Sequence, residues 1–381
     1  MSRLFQILLL LAVVSFPVRI SAMAGIPAAD DAPIALMLDL NSGQTLFARD
    51  SDRRFVPASI TKVMTTLVAF QMMEERRISA RQSFVMDETT FEDWHRKGST
   101  MFLPLNQRVT VDQLLMGITT VSANDASVLL ALNAAGSVDG WIDQMNKSAR
   151  KLGMNNSYFG TPNGWPDEGR TFTTARDLAK LARALVERHP ELYGRYIGNK
   201  GMSYNGIAQD NHDPTIGVVN GADGIKTGFT NQAGYGFLGT AARDGRRVVM
   251  IVAGSSSAGA RNRAAREFLE WGLANFESRR IFRAGQILAE IPVQDGNAGH
   301  VNLVAPEDIF VTFPKGQDPG VELNVRYRGP VRAPFGTDTA IADLQVQVEG
   351  LPTTTVPLVS DIPVERAGVF WRLYNGLRSL V

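Results

Sequence analysis

The sequence contains no cysteine among its 381 residues. This absence excludes disulfide bridges, thiolate metal sites and cysteine nucleophiles. Histidine is also scarce, since only His95, His189, His212 and His300 occur, and no two of them form an H-x-x-x-H pair. We therefore expect no metal centre and no other cofactor, and a Ser-His-Asp triad would have to draw on these four residues.

Neither sign of charge dominates the chain. Lys and Arg number 39 and Asp and Glu 38, which gives a formal net charge of +1. A global attraction to nucleic acid is therefore not expected. Hydrophobic residues make up 44% and charged residues 20% of the chain, proportions typical of a folded globular protein. The length allows two domains, each with its own core.

The first residues combine a positive charge with a short apolar run. Arg3 precedes apolar residues from position 4 to about position 14, and residues 21–24 read S-A-M-A. This pattern is typical of a secretory signal peptide, with cleavage after Ala24. The alternative is a membrane-spanning anchor, which needs about 20 apolar residues, more than this run supplies. The sequence thus predicts an exported protein that works where ATP and nicotinamide cofactors are scarce.

The order of patterns predicts an α+β fold. A β-hairpin is expected near the start, helices dominate up to about residue 185, and strands then return before a closing helix. An antiparallel sheet built from both ends of this region, with helices inserted between, fits that order. The predicted helices are 111–118, 125–135, 138–152, 175–186 and 260–275, and the predicted strands are 33–39, 45–48, 224–230, 234–242 and 247–253.

Beyond about residue 277 the chain changes to short alternating segments separated by Gly, Pro and Asp. This spacing predicts a small β-sandwich. The last stretch, 364–381, has Val369, Phe370, Leu373 and Leu377 on one helical face with Arg372 beside it. It predicts an amphipathic helix in a membrane interface, or a terminal helix packed on the sandwich. The predicted segments are a signal peptide (1–24), a first domain (25–276), a β-rich domain (277–363) and the helix (364–381).

Three short motifs carry the candidate chemistry. Ser59 and Lys62 form an S-x-x-K pair in the segment P-A-S-I-T-K-V-M-T, which has helical spacing. Residues at i and i+3 share a helix face, so a desolvated lysine can there remove the proton of a serine nucleophile. Ser122 and Asn124 form an S-x-N element, and the third motif is K-T-G at 226–228. Each motif has an ordinary reading when alone: a helix cap with a solvated lysine, a loop serine before a turn, and a surface lysine.

Together and in this order, the three motifs are the signature of active-serine penicillin-recognising enzymes. The chain resembles the D-alanyl-D-alanine carboxypeptidases of the low-molecular-mass penicillin-binding protein family. The segments G-S-T-M-F-L at 98–103, S-A-N-D-A at 122–126 and D-G-I-K-T-G at 223–228 also resemble family segments. The resemblance covers nearly the whole mature chain. It implies a transpeptidase-like domain, a small β-sandwich domain and a C-terminal amphipathic helix.

The resemblance implies a serine peptidase that removes the terminal D-alanine from peptidoglycan stem pentapeptides. Its catalytic residues would be Ser59 as nucleophile, Lys62 as base and Ser122 as proton relay. Its partners would be stem peptides, β-lactam inhibitors and the outer surface of the cytoplasmic membrane, reached through the C-terminal helix of an exported, periplasmic protein. The implied substrate-binding residues are Asn124, Lys226, Thr227, Gly228 and Phe229. In the family the residue at the position of Phe229 offers its backbone N–H to the oxyanion, as does the serine.

The chain departs from the family at two positions. Asn163 stands where members usually carry the histidine of an Asn-Pro-His-Gly segment, and Phe229 stands where many relatives have histidine. Three other functions are alternatives. A class A β-lactamase is disfavoured because no convincing Glu-x-x-Leu-Asn segment lies between Asn124 and Lys226. A D,D-endopeptidase uses the same chemistry, and a non-catalytic cell-wall scaffold would not need the intact motifs.

Overall fold

The computed structural model describes residues 3–9, 25–317 and 320–368, and the contacts divide the chain into two units. The first unit comprises Ala22–Leu40 and Phe47–Ala274. The second comprises the described residues after Ala274, together with Asn41–Leu46 and residues 3–9. No helix within the described residues is long and apolar enough to cross a membrane.

Eight α-helices and eighteen strands are found within the described residues. The helices are α1 (Lys62–Glu74), α2 (Glu88–Trp94), α3 (Val111–Thr120), α4 (Asn124–Ala135), α5 (Val138–Lys151), α6 (Ala175–Arg188), α7 (Pro190–Tyr196) and α8 (Ala258–Ala274), and a 3-10 helix covers Ala58–Thr61. The strands are β1 (Arg3–Leu9), β2 (Ile34–Asp39), β3 (Thr45–Arg49), β4 (Ser83–Val85), β5 (Arg108–Thr110), β6 (Gly201–Tyr204), β7 (Ile207–Asp210), β8 (Ala222–Thr230), β9 (Gly234–Arg243), β10 (Arg246–Ser255), β11 (Phe276–Phe282), β12 (Ile287–Gln294), β13 (His300–Val304), β14 (Ile309–Pro314), β15 (Val321–Gly329), β16 (Val331–Arg332), β17 (Ala340–Val348) and β18 (Thr354–Ser360).

A five-stranded sheet with the order β3-β2-β10-β9-β8 forms the centre of the first unit. The β2–β10, β10–β9 and β9–β8 pairs are antiparallel. Strands near the start of the unit thus meet strands from its end, and the chain between them supplies α1 to α7. The predicted arrangement, an antiparallel sheet with an inserted helical region, is confirmed.

The central sheet is buried on both faces. Successive side chains of a strand point to opposite faces. Leu36 and Ile251 join a buried cluster with Leu67 of α1 and Leu181 of α6. Met37, the neighbour of Leu36, faces α8, because a Cβ added at Gly272 would lie 2.9 Å from its Sδ. Burial on both faces explains why β2 and β10 have continuous apolar runs.

The second unit has its own core between two sheets. A seven-stranded sheet has the order β1-β15-β17-β18-β13-β12-β16, and β11 pairs with β14 in a second sheet. Alternate residues such as Val325, Leu344 and Val346 are buried together with Val311 and Phe313 of β14. The predicted β-sandwich is therefore present. β1, described here by its backbone, lies within the predicted signal peptide and pairs with β15.

The predicted C-terminal helix is wrong at its start. Val364 and Arg366 form isolated bridges to Phe335 and Gly296, and Val364 is buried in the core of the second unit. The first residues of the predicted segment 364–381 therefore add to the β-rich unit, because their apolar side chains complete its core. The rest of that segment, 369–381, lies outside the described residues.

The turn before α1 is held in an unusual backbone conformation. Ala58 has a φ of +50°, which non-glycine residues rarely adopt. Gly164 packs against it: Gly164 has a φ of +75°, and a Cβ added there would lie 1.8 Å from the carbonyl oxygen of Ala58. Glycine is required at position 164 for its conformation and for this close approach. The contact joins the start of α1 to a loop more than 100 residues further along the chain.

We predict that Gly164→Ala destabilises the first unit much more than Gly153→Ala. Gly153 also has a positive φ, +69°, but a Cβ added there would meet nothing within 4 Å. Both variants carry the conformational cost of about 1–2 kcal/mol, and only Gly164→Ala adds the clash, which costs about 1–3 kcal/mol more. Urea denaturation gives the free energies of unfolding. Equal losses in the two variants would show that the Ala58 contact is not a constraint.

Candidate active site

The S-x-x-K pair is formed as the sequence spacing predicts. Ser59 lies in the 3-10 helix and Lys62 is the first residue of α1. The Lys62 ammonium nitrogen lies 2.9 Å from Ser59 Oγ and donates a second hydrogen bond, 2.7 Å long, to the backbone carbonyl of Asn163. The residue that departs from the family pattern thus supports Lys62 through its main chain. A base in contact with a serine hydroxyl is the arrangement that activates this nucleophile.

Lys62 is fully buried. Its burial and, to a smaller extent, the nearby charge of Lys226 lower its pKa well below the ordinary value, while Asp125 acts in the opposite direction. Removal from water disfavours the ammonium form, and a neighbouring cation does the same. The neutral amine needed for a general base is therefore favoured at Lys62.

The S-x-N element lies in the break between α3 and α4. Ser122 has a φ of +62° and is buried. Asn124 is the first residue of α4, and its side-chain amide donates a hydrogen bond of 3.0 Å to the carbonyl of Lys97. Among the described residues the partner of Asn124 is thus the 97–99 segment rather than Lys62. The substrate-holding role implied for Asn124 stays a prediction.

Asp125 holds the irregular segment 97–103, which borders Asn124. Its carboxylate accepts hydrogen bonds from the backbone N–H groups of Met101 and Leu103, at 3.1 and 3.2 Å. Burial raises its pKa, although these backbone hydrogen bonds oppose the rise. The aspartate of S-A-N-D therefore has a structural task, which is to position residues 97–103 beside Asn124.

The K-T-G motif lies on β8, the edge strand of the sheet. β8 runs close to the turn that holds Ser59, because a Cβ added at Gly228 would lie 2.5 Å from the carbonyl oxygen of Pro57. Gly228 thus allows the strand to approach the nucleophile. Thr227 lines the adjoining cleft, whereas Lys226 is buried with 4% of its surface exposed.

Lys226 belongs to a group of charged residues at one side of the cleft. Burial, and then the charge of Arg261 from α8, lower the pKa of Lys226 to about 7, with Asp213 opposing. Burial and the cations Lys226, Arg261 and Lys62 also lower the pKa of His212. Arg261 and His212 line the cleft themselves. An anionic group entering the cleft would meet Arg261 first, with Lys226 behind it.

Phe229 lines the cleft and stays partly exposed to solvent. Its side chain is 46% exposed, and its ring stacks on that of Tyr235 across the β8–β9 pair, with the centroids 4.1 Å apart. The aromatic pair forms an apolar wall where the family usually has histidine. The backbone of Phe229 stays on the edge strand next to the Ser59 turn.

A cleft of about 540 Å³ brings the three motifs together. Its walls come from the Ser59 turn, the α3–α4 break, the 98–99 and 163–166 loops, β8 and α8. In the part of the chain that the structure describes, no three His, Asp or Glu side chains are grouped as a metal site. The lining residues are Ser59, Gly98, Ser99, Ser122, Asn124, Asn163, Gly164, Trp165, Pro166, His212, Thr227, Gly228, Phe229, Thr230, Asn231, Tyr235 and Arg261.

Sequence reasoning missed three contributors to this site. Arg261 and His212 belong to no short motif, and the carbonyl of Asn163 acts through the main chain, which carries no side-chain signature. The helical pattern around Arg261 predicted a closing helix but not that its first turn faces the cleft. Two further arginines follow Arg261 within five residues, and His212 lies in a polar stretch, so the sequence does not single out either residue.

Two family models match the chain. Residues 22–257 match the family described as D-alanyl-D-alanine carboxypeptidase, and residues 276–366 match the penicillin-binding protein 5 C-terminal domain. Among curated relatives, the D-alanyl-D-alanine carboxypeptidase DacA of Haemophilus influenzae is 33% identical, over 90% of this chain and 87% of the relative. DacA of Escherichia coli K12 is 31% identical, over 92% of this chain and 88% of the relative.

Solved structures agree with these matches. The structure of penicillin-binding protein 5 from Haemophilus influenzae has a TM-score of 0.77 and 31% identity, covering 89% of this chain and 99% of that one. Penicillin-binding protein D2 from Listeria monocytogenes in its ampicillin-bound form has a TM-score of 0.56 and 26% identity, covering 64% of this chain and 97% of that one. The chain belongs to the D-alanyl-D-alanine carboxypeptidase family of serine peptidases.

Proposed function

We propose that this protein is a serine-type D-Ala-D-Ala carboxypeptidase that removes the terminal D-alanine from peptidoglycan stem pentapeptides through an acyl-enzyme on Ser59. The observation that carries the proposal is the 2.9 Å contact between Ser59 Oγ and the fully buried amine of Lys62. β-Lactams, which mimic the D-Ala-D-Ala terminus, would acylate the same serine. Peptidoglycan stem peptides are thus the substrates and β-lactams the inhibitors.

In the acylation step, neutral Lys62 takes the proton of Ser59 as Oγ attacks the carbonyl carbon between the two D-alanines. The backbone N–H groups of Ser59 and Phe229 receive the negative charge that develops on the carbonyl oxygen. Ser122, which borders the same cleft, relays this proton from Lys62 to the nitrogen of the leaving amine, so Lys62 is neutral again. The C–N bond breaks and free D-alanine departs. In deacylation, neutral Lys62 takes a proton from the attacking water and gives it to Ser59 Oγ as the ester bond breaks.

The terminal carboxylate of the substrate fits the cationic side of the cleft. Thr227 and Arg261 line the cleft and can contact the carboxylate, while buried Lys226 of β8 adds positive charge nearby. Asn124 is available to hold the amide that precedes the scissile bond. A D,D-endopeptidase, a β-lactamase or a non-catalytic scaffold would use the same cleft differently. Side-by-side assays of D-alanine release from a pentapeptide and of cleavage of a cross-linked dimer distinguish a D,D-endopeptidase from a carboxypeptidase.

Replacing Ser59 tests the nucleophile. We expect Ser59→Ala to lower D-alanine release from a pentapeptide by about a thousandfold or more, and to abolish covalent labelling by a fluorescent penicillin. Ser203→Ala removes an exposed hydroxyl from β6, outside the cleft, and should leave both readouts unchanged. Continued labelling of Ser59→Ala would place the nucleophile elsewhere, and a wild-type protein that neither releases D-alanine nor labels would favour a scaffold.

The pH dependence of acylation tests the effect of Lys226 on Lys62. The charge of Lys226 lowers the pKa of Lys62, so Lys226→Gln should raise it. Because only neutral Lys62 acts as a base, the acidic limb of the acylation rate should move to higher pH. Rates with a fluorescent penicillin, each profile normalised to its plateau, give the midpoint. Lys147→Gln, on the exposed face of α5, is the control. An acidic limb that stays in place or moves to lower pH in Lys226→Gln would contradict the effect of Lys226 on the pKa of Lys62.

We also propose that the protein is exported, loses residues 1–24 as a signal peptide and works in the periplasm. A helix within residues 369–381 would attach it to the outer face of the inner membrane. The apolar positions 369, 370, 373 and 377 support this, since they recur at helical spacing with basic residues beside them. The catalytic and β-rich domains would be joined near residue 276.

A truncation after Gly368 tests the membrane anchor. This variant keeps Val364 and Ala367, which are buried in the second unit, so the fold should survive. We expect the truncated protein to leave the membrane fraction and to release D-alanine at the rate of the full chain. Fractionation of cells and assay of both forms give the result. Continued membrane association after truncation would contradict the anchor.

A further inference from the structure

A cluster of two tryptophans and a lysine lies beside the cleft on the side of Asn124. Lys97 Nζ lies 4.8 Å from the ring centroid of Trp94 and 5.3 Å from that of Trp165. The two rings meet edge to face with centroids 5.6 Å apart. We call these three residues the tryptophan–lysine cluster. It contains none of the motif residues, and the mechanism above gives it no task.

The tryptophan–lysine cluster is joined directly to the proposed substrate site. Trp165 and Gly98 line the cleft, and a Cβ added at Gly98 would lie 2.8 Å from Asn124 Nδ2 and 3.0 Å from the Trp165 ring. The carbonyl of Lys97 accepts the hydrogen bond from the Asn124 side chain. The amide that positions the substrate and the ammonium on the aromatic rings therefore belong to one packed unit.

The charge of Lys97 is available to a ligand. Its side chain is exposed, and no ion pair joins it to any residue that the structure describes. Contact with two aromatic faces restricts where the ammonium can lie, and such contacts are favourable for cations. The lysine thus presents an oriented positive charge next to an apolar ring surface, rather than a freely moving one.

The direction of the substrate decides which of its groups reaches this cluster. In the proposed function, on which this inference rests, the terminal carboxylate lies toward Thr227 and Arg261 and the preceding amide is held by Asn124. The side chain of the residue before the two D-alanines then lies on the Asn124 side, near Gly98 and Trp165. A ligand group suited to both the ring and the ammonium is a methylene chain that ends in a carboxylate.

We propose that the tryptophan–lysine cluster is a specificity subsite for the residue that precedes D-Ala-D-Ala, and that it selects a long side chain ending in a carboxylate. Trp165 packs against the methylenes and Lys97 pairs with the carboxylate. The cleft would then recognise a substrate with an anionic group at each side, one at Arg261 and one at Lys97. Charge complementarity of this kind contributes mainly to discrimination among substrates.

Three matched peptides test the subsite. They are N-acetyl-Xaa-D-Ala-D-Ala in which Xaa is L-2-aminoadipate, its side-chain amide, or L-norleucine, and the readout is kcat/KM for D-alanine release. We expect the full-length protein to prefer the carboxylate over the amide by about three- to fivefold, the range for an exposed ion pair. The preference should lie in KM and should shrink as salt is raised.

Variants of Lys97 separate a charge contact from a structural role. Lys97→Met should lose the preference while keeping its rate on the norleucine peptide, because the carbonyl that holds Asn124 remains. Lys97→Arg should keep the preference, since an arginine retains the charge and stacks on aromatic rings. Lys147→Met, an exposed lysine on α5, should behave as the wild type.

The possible failures are distinguishable. Equal rates of the wild type on the carboxylate and amide peptides, or an unchanged preference in Lys97→Met, would overturn the subsite but leave the carboxypeptidase function intact. An equal loss on all three peptides in Lys97→Met would show a structural role and also overturn it. Failure to release D-alanine from any peptide, together with absent penicillin labelling, would instead overturn the proposed function.

Discussion

The contact between Ser59 Oγ and the Lys62 amine works chemically only if the amine is kept from water. Lys62 is completely buried, and the only hydrogen-bond partners that the described residues give it are a hydroxyl and a carbonyl, Ser59 and Asn163. Neither carries a negative charge. A carboxylate in direct contact would hold the lysine as an ammonium, and here Asp125 acts only from a distance. The neutral form of the Lys62 amine thus depends on the absence of a carboxylate from its immediate contacts as much as on the groups that do contact it.

The backbone around this pair is correspondingly constrained. Ala58 and Ser122 both have positive φ values. Ala58 directly precedes Ser59, and Ser122 lines the cleft. Gly164 and Gly228 let two further segments approach the Ser59 turn more closely than any side chain would allow. Strained conformations of this kind persist where the surrounding structure over-determines them, and they concentrate at functional sites. The hydrophobic core of the first unit, between the sheet and α1 and α6, supplies that surrounding structure.

Charge is distributed unevenly around the cleft. Arg261, Lys226 and His212 lie on the β8 side, with Asp213 near them. Burial and then the charge of Arg261 lower the pKa of Lys226, and burial with the charges of Lys226, Arg261 and Lys62 lowers the pKa of His212. Lys226 is therefore easier to deprotonate, and Arg261 is left as the permanent cation. An arginine remains charged in such surroundings where a lysine does not. A ligand carboxylate on this side therefore relieves repulsion as well as forming its own contacts.

Much of the chemistry could be predicted from the sequence because it is local. The spacing of Ser59 and Lys62 brings their side chains together on almost any helical turn, and the order of the S-x-N and K-T-G motifs indicates the family. The alternation after residue 277 predicts the β-sandwich, since a half-buried strand must alternate. The closing helix and the β-hairpin follow from equally local periodicities.

The remaining features depend on contacts between distant parts of the chain. The carbonyl that supports Lys62 comes from Asn163, 101 residues away, and a main-chain group leaves no mark in the sequence. Arg261 reaches the cleft because α8 packs on the sheet that carries β8, and Lys97 lies on Trp165 because two loops meet beside Asn124. Val364 joins the β-rich core although its periodicity continues into an amphipathic pattern, because burial in an existing core outweighed helix propensity. The sequence by itself indicated the family and the Ser59–Lys62 pair that we propose as nucleophile and base. Tertiary packing alone decided which groups surround this pair, since periodicity reports only neighbours within a few residues.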